Sequence, residues 1–194
     1  MATIGISKPY FAVYSNTSGT TTYSNGAVMG KSTTASLSLE GADNNILYAD
    51  NAPAESVNQF AGGTLTMGTD DIYDAAATLF LGLETNTMTG GGTELIFDDQ
   101  QAIPYVGIGF IVKKMQSGNV KYQGVIFPKT QAQNPNYEIA TQGETIEWQT
   151  PEVTFNLLRD DTTHHVWQRQ ALFDTEADAE AYLRTYFGIT GTGG

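Results

Sequence analysis

Few side chains in this sequence are suited to catalysis or metal binding, and none is spaced for either. The only histidines, His164 and His165, are adjacent, so in an extended segment their rings point to opposite faces and cannot easily share one ion. The acidic pairs Asp70-Asp71, Asp98-Asp99 and Asp160-Asp161 could bind a hard cation, but none has the spacing of a calcium loop. A helix cap or a turn explains each pair more simply. Cysteine is absent, which excludes a thiolate metal site and a thiol nucleophile.

Two glycine motifs match nucleotide-binding loops only in part. Gly107-Ile108-Gly109 lacks the third glycine of a dinucleotide fingerprint and lies in an apolar run, so it predicts a strand with a closely packed backbone. Gly90-Gly91-Gly92 is not followed by the Lys-Ser/Thr of a phosphate loop and is predicted to be a linker. The sequence therefore predicts no catalytic residue, no metal site and no cofactor, and we expect that the protein is not an enzyme.

The charge of the chain is strongly one-sided. Its 194 residues include 9 Lys plus Arg and 21 Asp plus Glu, which gives a formal net charge of -12. Between Lys31 and Lys113 lie 81 residues with no Lys, Arg or His and with eleven carboxylates. Proteins that hold nucleic acid depend on Lys and Arg to neutralise phosphates. A surface built from this stretch would repel a duplex, which would suit a protein that lets a polyanion pass without holding it.

Alternation of apolar and polar residues predicts the elements that position these side chains. In residues 35–40 and 64–67 the period of two places Ser36, Ser38 and Glu40 on one face and Thr64 with Thr66 on another. The other predicted strands are residues 9–14, 45–49, 94–98, 105–115, 120–127, 145–149, 153–157 and 166–173. Residues 116–119 join two of them as a short hairpin link. About ten strands at this spacing indicate a sandwich or a barrel.

Two helices are predicted among the strands. The first opens at Asp70 or Asp71, which would cap its amides, and ends at Gly82. The second runs over residues 176–186, with Thr175 and Asp178 as an approximate capping box and Gly188 closing it. The predicted fold class is mainly β: an antiparallel β-sandwich or partial barrel with two accessory α-helices.

The chain is predicted to form a single domain over residues 1–187. Polar composition predicts long loops at 16–34 and 128–136, either mobile or ordered by a partner, and a flexible C-terminal tail at 188–194. The longest apolar run, residues 105–112, is too short to cross a membrane, and residues 1–15 lack the pattern of a secretory signal. We therefore expect a soluble intracellular protein.

Several runs together resemble one family. These are Ile4-Gly5-Ile6-Ser7-Lys8-Pro9-Tyr10, Leu47-Tyr48-Ala49-Asp50-Asn51, Phe60-Ala61-Gly62-Gly63-Thr64-Leu65, and Asp70-Asp71 at a helix start. In this order they resemble the major tail tube proteins of long-tailed, siphovirus-like bacteriophages, clearly over about the first 130 residues and more loosely beyond. Some members carry an extra immunoglobulin-like domain at the C-terminus, where this chain has a short Gly-Thr tail.

The resemblance implies a structural virion protein. Its inner sheet would join those of its neighbours into a continuous barrel, giving hexameric rings that stack into the tail tube. Implied partners are further copies of the chain, the tape measure (ruler) protein, the tail terminator and the baseplate. Genomic DNA would pass through to the host without specific binding. The protein would be found in the phage tail, and in the host cytoplasm during assembly.

The two polar faces then suggest a role. Ser36, Ser38, Glu40, Thr64 and Thr66 offer small hydroxyls and a carboxylate without a base, so we hypothesise that they line the lumen of the tube. The alternative is that they are ordinary solvent faces of antiparallel strands.

Two other classes of protein remain open. One is a different ring-forming tail component, such as a tail terminator or a baseplate hub. The other is a carbohydrate-binding β-sandwich adhesin, although Trp148 and Trp167 lie in phase with apolar strand neighbours, which favours core positions.

Overall fold

Twelve strands and two helices form the described part of the chain. The computed structural model describes residues 2–41, 45–49, 52–57, 60–134 and 150–190. The strands are β1 (Ala2–Thr17), β2 (Thr20–Val28), β3 (Ser32–Gly41), β4 (Asn45–Ala49), β5 (Ala52–Val57), β6 (Phe60–Thr69), β7 (Glu84–Thr87), β8 (Thr93–Ile96), β9 (Tyr105–Gln116), β10 (Asn119–Ala132), β11 (Glu152–Leu158) and β12 (Arg169–Phe173). The helices are α1 (Asp74–Leu81) and α2 (Glu176–Tyr186). The predicted fold class, a mainly antiparallel β fold with two helices, is confirmed.

Eight strands form one antiparallel sheet. Their order is β2-β1-β9-β10-β11-β6-β3, and β12 also pairs with β10. One edge of β10 pairs with β9, whereas the other pairs with β12 along residues 122–126 and with β11 along residues 129–132. An irregularity in pairing between Phe127 and Thr130 separates these two halves. A bulge increases local twist, so the sheet bends at this point.

Helix α1 fills the space between two parts of this bent sheet. The ring of Phe80 contacts Phe11 of β1 and Phe155 of β11, with ring centroids 5.7 and 5.9 Å apart. All three side chains are fully buried, and β9 and β10 separate β1 from β11 in the sheet. The sheet therefore curves around α1 so that both parts share one core, as in a sandwich.

Helix α2 packs on the other face of β1, β9 and β10. Ile111 of β9 and Phe187, just after α2, belong to the apolar cluster that joins them. A Cβ atom on Gly107 or Gly109 would lie 2.6 or 2.8 Å from the Phe187 ring, so no side chain fits at either position. This confirms that the Gly107-Ile108-Gly109 motif is a strand with a closely packed backbone.

The prediction of a long loop at residues 16–34 is wrong. After a turn at Ser18-Gly19, with φ of 52° and 84°, the chain forms β2, which pairs with β1, and β3 begins at Ser32. Threonine is polar but β-branched and favours strands, so composition alone misassigns such a segment. The tyrosines on this hairpin pack together, since the rings of Tyr14 and Tyr23 lie 5.9 Å apart.

The loop predicted at residues 128–136 is also largely wrong. Strand β10 continues to Ala132, where the Thr130 hydroxyl donates to the Val106 carbonyl and the Gln131 amide donates to the Ile103 carbonyl. Residues 135 and 136 lie outside the described residues. Of the predicted tail at 188–194, the structure describes residues 188–190, and Ile189 packs against the α2 cluster. The predicted strand at 145–149, with Trp148, also lies outside the described residues.

The sequence-based prediction of the helix start is wrong for α1 and confirmed for α2. Helix α1 begins at Asp74 without a side-chain cap, so the predicted caps are wrong; Asp70 instead accepts hydrogen bonds from the amides of Lys31 and Asp71. Gly82 ends α1 in the left-handed conformation, as predicted (φ 66°). Helix α2 has its predicted bounds and its predicted cap, Thr175, which accepts from the Asp178 amide.

Two hairpins lie outside the main sheet. Within the described residues, β4 pairs with β5 alone and β7 pairs with β8 alone. In the chain, the β4–β5 hairpin lies between β3 and β6. Neither of the described helices has the length and apolar character needed to cross a membrane.

Candidate functional site

The five residues predicted to line a lumen lie on one face of two paired strands. Ser36 of β3 lies opposite Thr66 of β6, and Ser38 lies opposite Thr64. Glu40 follows two positions along β3, so it shares this face. The sequence predicts one polar face on each of these two strands, and the structure joins the two faces into one surface.

The same face continues across β11 to β10. Thr154 lies opposite Thr66, with their hydroxyl oxygens 3.1 Å apart, and Asn156 lies opposite Thr64. Gln131 of β10 lies opposite Asn156. These eight residues form what we call the polar face: Ser36, Ser38, Glu40, Thr64, Thr66, Gln131, Thr154 and Asn156.

Sequence reasoning missed three members of the polar face. Thr154 and Asn156 alternate with apolar residues in a predicted strand, so the period of two was a signal that could have identified them. Gln131 had no such signal, because the Gln-rich and Pro-rich composition around it predicts a loop.

Burial on the opposite side fixes the orientation of the polar face. Leu65, Met67 and Phe155 are fully buried and alternate with the polar residues of β6 and β11. A slip of one residue in either strand would move these apolar side chains to the outside, so the core specifies the register.

A lysine borders the polar face, but its charge is neutralised. Lys129 lies two residues before Gln131 on β10, and its Nζ lies 2.8 and 3.0 Å from the carboxylate oxygens of Asp161. The same Nζ lies 4.7 Å from the Tyr105 ring centroid and 5.3 Å from that of Tyr14, and the side chain is only 14% exposed. The Lys129 hydrogen bond, with another from the Tyr14 hydroxyl, holds the pKa of the Asp161 carboxyl below its usual value. The cation therefore stays paired down to acidic pH.

Asp160 and His165, two of the other residues singled out in the sequence, make contacts within one loop. The Asp160 carboxylate is buried and accepts hydrogen bonds from the Thr162 amide, the Thr162 hydroxyl and the Val166 amide, which closes a loop. His165 contacts the Asp160 carbonyl at 3.3 Å and is otherwise exposed. Among the residues that the structure describes, no group of three or more His, Asp or Glu is placed to hold a metal ion.

Trp167 does not form an exposed platform for sugar stacking. Its ring stacks on Phe60 with centroids 4.6 Å apart and planes 4° apart, and the residue is half-buried. It packs against the main core, as the apolar phase of its sequence neighbours predicts.

No protein-family model matches the chain, and no curated protein matches it. A functional assignment therefore depends on the residues and their geometry.

Proposed function

We propose that this protein is the repeating subunit of a phage tail tube, in which stacked, hexameric rings form an anionic conduit for genome passage into the host. Two features support this. The first is the resemblance of its sequence runs to the tail tube family. The second is that the described part of the chain has a mainly antiparallel β fold with two helices, the fold class that a tail tube subunit would need.

The polar face is the observation that carries the proposal. It presents hydroxyls, amides and the Glu40 carboxylate, while the neighbouring Lys129 is held by Asp161. Proteins bind DNA chiefly through Lys and Arg side chains, which neutralise phosphates and release their counterions. The eight residues of the polar face include no such side chain. Carboxylates repel phosphates within roughly 8–10 Å at physiological salt, so the repulsion acts close to the wall. Such a surface would let DNA slide.

Unpaired strand edges support self-assembly. Within the described residues, no strand pairs with the outer edges of β2 and β3, which end the main sheet. Open edges lead to aggregation unless they are covered, and closed rings of identical subunits cover them. The β4–β5 hairpin, which pairs with no other described strand, is a second element that could reach a neighbour.

The proposed partners follow from this assembly. Further copies complete each ring and stack on the next, while the tape measure protein, the tail terminator and the baseplate would meet the tube inside and at its ends. DNA would be a passing cargo and not a ligand, and the protein would reside in the virion tail after assembly in the host cytoplasm.

Electron microscopy of the concentrated, purified chain tests the proposal. We expect long hollow tubes with a regular axial repeat. Isolated rings would instead favour a tail terminator or a baseplate hub. Particles that remain single subunits at high concentration would reject self-assembly altogether.

A further inference from the structure

A cleft of about 480 Å³ separates β3 from the first half of β1. Residues 3–6 of β1 and 33–35 of β3 line its two sides. Among the described strands, residues 2–7 of β1 pair with β9 alone, because pairing with β2 starts only at Tyr10. Within the described residues, β3 pairs with β6 alone. Both walls of the cleft therefore carry a strand edge with no described strand partner.

The cleft also exposes apolar surface. Leu37 of β3 is 42% exposed, although Leu65, directly opposite on β6, is 1% exposed. Ile4 on the other wall is 50% exposed, and Phe110 and Val125 line the cleft between the walls. Open backbone edges beside an apolar floor favour one kind of occupant, an extended peptide strand with apolar side chains.

The charge of the cleft wall favours an acidic strand. Lys114 lines the cleft, and within the described residues its ammonium has no carboxylate within salt-bridge distance. The chain itself has a net charge of -12, and most of its carboxylates lie in a stretch without bases. A second copy of the chain is thus an acidic partner for a cleft with a lysine on its wall.

We propose that the cleft receives an extended strand from a second copy of this chain, which pairs with the open edges of β1 and β3 and covers Leu37 and Ile4. Lys114 pairs with a carboxylate of that second copy. This inference rests on the proposed self-assembly and adds the surface through which neighbouring subunits join.

Hydrogen exchange of the full-length protein, before and after assembly, tests the pairing. When a strand docks, the amides of residues 2–7 and 33–37 should exchange at least about tenfold more slowly in the assembled form. Unchanged exchange in protein that has assembled would overturn the cleft as an interface and leave the proposed function standing.

Matched substitutions give a second test. Leu37→Glu and Lys114→Glu should each lower the assembled fraction by at least about tenfold in sedimentation experiments. Thr87→Glu and Lys113→Glu are the controls, because they make the same charge changes at exposed positions that do not line the cleft. Both residues to be tested are partly exposed, so the variants should keep the wild-type thermal transition.

The outcomes separate the two proposals. Normal assembly of Leu37→Glu and Lys114→Glu would overturn the cleft interface alone. A wild-type protein that stays monomeric when concentrated would overturn both proposals. In that case, binding of the fluorescent probe anilinonaphthalene sulfonate, if Leu37→Glu abolishes it, would identify the cleft as a site for small apolar molecules.

Discussion

The ion pair of Lys129 with Asp161 predicts a loss of stability in acid. The pKa of Asp161 is depressed in the folded protein, so its contribution is complete above the unfolded value of about 3.9 and is lost as pH falls through the folded value. Asp161→Asn should lower the free energy of unfolding by about 1 kcal/mol at pH 7, a modest value because the carboxylate is half exposed.

Chemical denaturation at pH 7 and at pH 3 checks this prediction. The difference between Asp161→Asn and wild type should shrink in acid. Asp174→Asn is the control, since its carboxylate pairs with Lys121 but is 79% exposed. An equal loss in both variants, or a loss that is independent of pH, would contradict the assigned role of Asp161.

The buried hydroxyl of Tyr10 should make the stability of the protein depend on pH at the alkaline end as well. Burial, together with its hydrogen bond to Glu180, raises the pKa of Tyr10 to about 12. The folded protein therefore binds this proton more tightly than the unfolded chain, and the stabilisation is complete below pH 10 and is lost as pH rises toward 12. Ultraviolet titration of tyrosinate should show that Tyr10→Phe removes one late-titrating group, and an unchanged late phase would be inconsistent with this assignment.

At the level of single residues, the sequence predicts on which face of a strand a side chain lies, but not which distant residue it contacts. Ser36, Ser38, Thr64 and Thr66 were predictable because alternation along a strand needs no knowledge of neighbours. The contact of Lys129 with Asp161 joins a strand to a loop 32 residues away, and no local pattern reports it. The neutralised cation beside the polar face therefore emerges only from the structure.

Docking of α2 depends on two glycines of β9. Gly107→Ala would place a Cβ atom 2.6 Å from the ring of Phe187, so the ring or the helix must move. We expect a loss of roughly 2–3 kcal/mol in the free energy of unfolding, in the range of overpacked cores. Thermal and chemical denaturation measure this loss.

Gly62→Ala is the matched control for that experiment. Gly62 also lies within a strand, β6, but its added Cβ atom would meet nothing closer than a Glu40 carboxylate oxygen at 3.7 Å. Alanine should be neutral there, or slightly stabilising because it restricts the unfolded chain. Equal effects at Gly62 and Gly107 would contradict close helix packing as the cause.

The elements themselves were largely predictable, and their errors share one cause. Helix α2 has capping and apolar signals that agree, and its predicted bounds are confirmed. Strand β2 and the end of β10 were predicted as loops because Thr, Ser and Gln are polar, although these segments pair in the sheet. Strand β2 pairs with β1 across the two-residue turn at Ser18-Gly19, and the end of β10 pairs with β11, but polar composition reports neither pairing.

Lysines on the polar face should convert the assembled tube into one that holds DNA. In Ser36→Lys/Thr64→Lys, six subunits would add twelve cations to each proposed ring. We expect tubes of this variant to retain duplex DNA at low salt and to release it as salt rises, because the added affinity comes from counterion release. Co-sedimentation of DNA with tubes measures the retention.

The control places the same charge elsewhere. Thr85→Lys/Thr87→Lys adds two lysines to exposed positions of β7, which belongs to a separate two-stranded sheet and not to the strands of the polar face. DNA inside the tube is distinguished from DNA outside by its protection from nuclease. If both double variants protect DNA equally, or neither does, the polar face does not line the lumen.

For the whole molecule, the sequence predicts the fold class better than the assembly. Period-two alternation and turn spacing indicate an antiparallel sandwich, and the structure has that architecture. The curvature of the sheet around α1 depends on the bulge in β10 and on aromatic contacts between distant strands, which no local pattern encodes. Ring formation stays a prediction from the resemblance, the polar face and the open edges.

Strand β10 pairs with three other strands, and this affects how the chain folds during its synthesis. Its hairpin with β9 closes through a two-residue turn at Ser117-Gly118, whereas its second edge is completed only by β11 and β12. A polypeptide leaving the ribosome thus carries an incomplete sheet until residues 152–173 have emerged. Pairing so distant in sequence forms slowly, so this late interval is when the nascent chain is most prone to misassociate and most in need of chaperone protection.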